Sequence, residues 1–139
     1  MLRVVVDPGV LVSAVLAAAG RPAEIVERWR DGEFDLIVSS KLLDELLGVL
    51  LRPKFRDLVE EVDARAYVAL LRNEAIVAAD PDDPPAVTRD PDDDYLVALA
   101  SEAGAFAIVS GDAHLTALEG SELQVLTPRQ FLDGLNERA

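Results

Sequence analysis

Three short apolar runs, LRVVV (residues 2–6), FDLIV (34–38) and FAIV (106–109), are unbroken rather than alternating, and each is separated from the next by helix-like sequence. A strand that is apolar on both sides must be covered on both sides, which is the condition of a parallel sheet. A weaker run, LQVL (123–126), continues the pattern. Strands alternating with helices imply right-handed crossovers. The expected fold is α/β: a central parallel sheet of four to five strands with helices on both faces, formed by residues 1–139 as one unit.

Between the strands, GVLVSAVLAAA (9–19) reads as an apolar helix ending at Gly20, and Pro22 opens a second through Trp29. Ser39 or Ser40 can cap a leucine-rich helix that stops before Pro53. PKFRDLVEEV suggests a short helix, and Asp63 can cap a longer one, ARAYVALLRNEAIV. Residues 80–91, DPDDPPAVTRDP, are too rich in proline and aspartate for regular structure. A helix from Pro91 to about Ala103, a short helix near His114 to Leu118 and a terminal helix from Pro128 complete the reading.

Acids stand where the apolar runs stop: Asp7 after LRVVV and Asp112 after AFAIVSG, with Glu45 in SKLLDELLGVL and Asp93 in RDPDDDYLVALA. The carboxyl ends of parallel strands border the crevice where such folds bind ligands. Carboxylates gathered there repel one another, and hard divalent cations with oxygen ligands relieve that repulsion. A metal-dependent enzyme is therefore the leading reading. Each acid also has a plainer one. Asp7 in D-P-G is a turn former, and Asp112 can cap the helix after it.

Helical register separates the members of the aspartate run. With Asp90 as N-cap and Pro91 at the first position, the buried stripe runs through Leu96, Val97, Ala100 and Ala103. Asp93 lies in register with that stripe, Asp92 borders its other edge, and Asp94 projects to the far, solvated side. Asp44 and Glu45 flank their own helix face on opposite edges, and periodicity does not choose between them. Asp90, Asp92 and Asp94 fit the start of an EF-hand loop, but Tyr95 stands where a glycine must turn it and Ser101 where a glutamate must close it.

The chain has no cysteine, which excludes disulfides, thiolate nucleophiles and cysteine-bound zinc. The formal net charge of −13 argues against a broad phosphate-binding surface, so any nucleic-acid contact must be local. Local candidates are Arg52, Lys54 and Arg56 after the Glu45 helix and Arg89 beside the acid run. No apolar run reaches bilayer-spanning length, and the start meets acid and proline too early for a secretory signal, so a cytoplasmic protein without membrane contact is expected.

Taken together, VVVDPGVLVSAVL with a downstream G-R-P, LIVSSKLLDELLGVLLRPKF, RDPDDDYLVALASEAGAFAIVSGDAHL and VLTPRQFL resemble the PIN-domain nucleases, especially the VapC-like toxins of toxin–antitoxin pairs. The resemblance implies four catalytic and metal-binding acids: Asp7, Glu45 (in S-x-x-L-x-x-E-L), Asp93 and Asp112. Asp90 resembles an accessory acid, Ser110 the serine or threonine near the site, and Ser13 the serine of the first helix. It further implies Mg2+ or Mn2+, RNA as substrate, a cognate antitoxin and a homodimer as partners, and no need for His114 as a base. Pro8 and Gly9 depart from the pattern, which commonly has polar residues after the first acid. That departure sustains the alternative of a catalytically degenerate PIN-like module that binds a protein partner. A haloacid-dehalogenase-type phosphatase needs a second acid two residues after the first, where Gly9 stands.

Overall fold

The computed structural model describes residues 1–87, 90–112 and 123–138. In chain order the elements are β1 (Arg3–Val6), α1 (Pro8–Leu16), α2 (Arg21–Arg30), β2 (Asp35–Val38), α3 (Ser40–Leu50), a 3-10 turn (Pro53–Phe55), α4 (Glu61–Glu74), β3 (Ile76–Val77), α5 (Pro91–Glu102), β4 (Ala107–Val109), β5 (Gln124–Leu126) and α6 (Pro128–Arg138). The helix expected near His114, and Arg89, lie outside the described residues.

The five strands form one sheet in the order β3-β2-β1-β4-β5, and every pairing is parallel. Val4, Val5 and Val6 of the central strand are essentially inaccessible, as are Leu36, Ile37, Val38, Ala107, Ile108 and Val109 beside it. This is why these runs read as continuous rather than alternating. The sheet and six described helices match the expected α/β architecture.

The strand order places the site. The chain steps from β1 to β2 to β3 in one direction, then crosses back over the sheet through α5 to β4 and β5 on the other side. The order reverses between β1 and β4, because β1 leads to β2 on one side and β4 to β5 on the other, and at such a switch point a crevice opens at the carboxyl ends of the two strands. Asp7 directly follows β1 and Ser110 directly follows β4, and the Asp7 amide donates to the Val109 carbonyl at 2.9 Å.

Several expectations need correction. The first helix stops at Leu16, with Ala17 extended at its cap, rather than at Gly20. The segment AIV closing the expected helix ARAYVALLRNEAIV is not helical: α4 ends at Glu74, and Ile76–Val77 form β3 beside Ile37 and Val38 of β2. Strand pairing to a distant segment, completed by the Ala78 amide on the Val38 carbonyl at 2.8 Å, outweighs local helix preference. Asp63 does not cap α4, because the helix begins two residues earlier with Glu60 at the cap, leaving Asp63 in the first turn. Asp94 is not solvated: it is 6% exposed, the Val87 amide of the preceding loop donates to its carboxylate at 3.0 Å, and Asp82, Asp83 and Pro85 line the same hollow beside it.

Candidate active site

Local sequence explains how each acid is presented. Asp7 caps α1, its Oδ1 accepting the Gly9 amide at 2.9 Å ahead of Pro8 at the first helical position. Its Oδ2 accepts the Ser110 hydroxyl at 2.8 Å, and the same Ser110 oxygen accepts the Asp112 amide at 3.0 Å. Fully buried Ser110 therefore ties the ends of β1 and β4 together and fixes the first acid from behind. The local capping reading of Asp7 holds, and the same carboxylate also faces the cleft described next. Asp90 caps α5 through the Asp92 amide at 2.9 Å, which turns Asp93 inward, 7% exposed. Ser39, at the end of β2, caps α3 through the Leu42 amide at 3.2 Å.

These arrangements bring Asp7, Glu45, Asp92, Asp93 and Asp112 to the walls of one cleft of about 260 Å³, with Pro8, Val12 and Leu96 among its apolar lining. The four acids expected at the site are brought together. Asp44 faces away, 79% exposed and 3.9 Å from Arg72, so the choice between the adjacent acids falls on Glu45. A neighbouring hollow shares Asp7 and Asp112 and is lined by Ser13, Pro22 and Pro128; Ser13 itself donates back to the Gly9 carbonyl at 3.0 Å. Asp90 stands behind the cleft at the start of α5. Arg52, Lys54 and Arg56 are exposed on the turn after α3 and do not line the cleft.

The electrostatics follow from the crowding. Burial, then the charges of Asp112, Asp90, Asp7 and Asp92, push the Asp93 carboxyl up to about 6. Glu45 is raised as well, by partial burial and by Asp92 and Asp7, with Lys41 opposing. Both groups are poorly disposed to carry charge unless something positive enters.

A family model for the PIN domain matches residues 3–114, a span that includes β1 through β4 and all five cleft acids. The chain belongs to the PIN domain family. This PIN domain is 26% identical over 141 residues to an uncharacterized protein of Methanocaldococcus jannaschii, MJ1680, an alignment covering 95% of this chain and 90% of that one. Its fold is similar to that of PAE2754 from Pyrobaculum aerophilum, with a TM-score of 0.67, 15% identity and coverage of 99% of this chain and 90% of that one. It is also similar to VapBC2 from Rickettsia felis, solved bound to a DNA fragment from its promoter, with a TM-score of 0.61, 9% identity and coverage of 91% and 98%. PIN domains are generally nucleases that use divalent metal ions.

The donor set of this PIN domain fits such an ion. Among the described residues every polar side chain lining the cleft is a carboxylate, the chemistry that suits Mg2+ or Mn2+, and the burial and neighbouring charges that raise Asp93 are what a cation would offset. Among the described residues no three carboxylates already stand close enough to hold one ion, so the side chains must rotate inward to form a shell.

Sequence reasoning missed two features. Asp92 was assigned only to a stripe edge, yet that edge is the cleft wall. Lys41 was not singled out, although its position one helical turn before Glu45 on the same helix face was a readable signal.

Proposed function

We propose that this PIN domain is a metal-dependent endoribonuclease that hydrolyses RNA phosphodiester bonds and serves as the toxin of a type II toxin–antitoxin module. The observation that carries the reading is the meeting of Asp7, Glu45, Asp93 and Asp112, drawn from four distant segments, in one cleft at the β1/β4 crevice. Asp7 and Asp93 are the principal metal ligands, and Glu45 and Asp112 complete the shell. When bound, one or two Mg2+ or Mn2+ ions supply the water activation and charge neutralisation that phosphodiester hydrolysis needs. The chain's own part is positioning. Ser110 and the Gly9 amide hold the Asp7 carboxylate in place, Asp90 sets the direction of Asp93, and the apolar lining of Pro8, Val12 and Leu96 limits water. Family membership supports the nuclease chemistry, and the similarity in fold to VapBC2 supports a toxin with a cognate antitoxin; a second copy of the chain is the further partner that the sequence resemblance implies. No single described helix is long and apolar enough to cross a membrane, consistent with a cytoplasmic role.

Asp7→Asn and Asp93→Asn are each expected to lower Mn2+-dependent cleavage of single-stranded RNA by at least ~100-fold while the circular dichroism spectrum is unchanged. Full activity in both variants would refute the assignment. The absence of a ready-made three-carboxylate shell among the described residues favours one second reading, a degenerate module that binds a partner protein. Calorimetry with Mn2+ separates the two, since a lost site takes up no metal specifically.

A further inference from the structure

A cleft walled by carboxylates must still admit a phosphodiester, itself an anion, and among the described residues no arginine or lysine lines it. The cation nearest in sequence to Glu45 is Lys41, one turn earlier on the same face of α3, about 6 Å back along the axis at 1.5 Å per residue. Arg52 stands seven residues beyond Glu45, past the end of α3 at Leu50.

Lys41 sits on a built seat. Its ammonium lies over the Tyr95 ring, 4.4 Å from the centroid. Tyr95 is buried on α5 two residues after Asp93, and its hydroxyl is hydrogen-bonded to both fully buried Ser39 at the end of β2 and the carboxylate of Asp80. Both Asp80 oxygens accept the Lys41 backbone amide at 3.3 Å. Three stretches of chain, Ser39 to Lys41, Asp80 and Tyr95, thus meet beneath this lysine. The ion pairs among the described residues engage Arg28, Arg65, Arg72 and Arg129, and none occupies the exposed Lys41 ammonium. A solvated surface lysine needs no such seat; one meant to meet an anion at a fixed place does.

We infer that Lys41 is the substrate-binding cation of this site, contacting an RNA phosphate beside the scissile one, with Tyr95 and Asp80 as the residues that position it. The inference rests on the nuclease reading above.

The test is steady-state cleavage of a fluorogenic single-stranded RNA with Mn2+ over a range of KCl. Lys41→Ala is expected to raise KM about tenfold with kcat changed less than threefold, and to reduce the slope of log(kcat/KM) against log[KCl] by about 0.7, the value for one phosphate contact on a single strand. Lys41→Arg should recover most of the KM, and calorimetric Mn2+ affinity should stay within about twofold in both. Unchanged KM and salt slope in Lys41→Ala would overturn the inference, as would a defect in kcat alone. If the wild-type chain leaves RNA intact, the nuclease reading falls. Lys41 is then judged by fluorescence anisotropy with the same oligonucleotide, where equal affinity of wild type and Lys41→Ala overturns it.

Discussion

Asp93 concentrates the conflict between folding and chemistry in one side chain. Its carboxyl is pushed up to about 6, so between roughly pH 4 and 6 the folded protein keeps a proton that the unfolded chain has released. The stabilising contribution is therefore present at low pH and lost as pH rises through about 6, beyond which a buried charge opposes folding. In EDTA the thermal midpoint should fall between pH 5 and 7, and Asp93→Asn should flatten that decline and stabilise the metal-free fold at pH 8 by about 1–3 kcal/mol. A pH-independent difference between the two proteins, measured by calorimetry, would show that Asp93 carries no shifted charge. The residue itself was legible in the sequence, because helical register and a proline-started helix turn it toward the buried stripe. That register misjudged Asp94, whose cover comes from a loop whose path no helical periodicity encodes.

At the scale of elements, α5 is defined by its first turn. Asp90 caps it, Pro91 occupies the position that needs no amide, and three further aspartates face the positive end of the helix dipole. Asp90→Ala removes the cap and should cost about 1 kcal/mol in denaturant unfolding at pH 5. The cost should be smaller at pH 8, where the substitution also withdraws a like charge from Asp93 and Glu45. An equal cost at both values would mean that Asp90 acts as a cap only. Helix starts and stops were readable because caps, prolines and glycines act within a few residues. The pair Ile76–Val77 was not, since two β-branched residues after a helix become a strand only when β2 offers its edge. Asp44 and Glu45 show the same limit: adjacent on one helix, they are separated by which neighbour each meets.

For the whole molecule, the net charge of −13 includes five acids facing one cleft, so a divalent cation should bind the folded state far better than the unfolded one. Mn2+ at about 100 times its Kd should raise stability by about 2.7 kcal/mol, and EDTA should reverse the gain. An unmoved thermal midpoint at millimolar Mn2+ would contradict a metal site in the cleft. The sequence by itself determined the parallel α/β class, the helices on either side of the sheet, and which acids end strands or begin helices, because hydrophobic periodicity, capping and turn chemistry are local. Only the tertiary structure decided that β3 forms the sheet edge, that Asp94 is covered, that Asp92 joins the cleft wall, and that Ser39, Asp80 and Tyr95 gather beneath Lys41. Those outcomes depend on the distance in space between residues far apart along the chain, a quantity set by how the strands order themselves in the sheet.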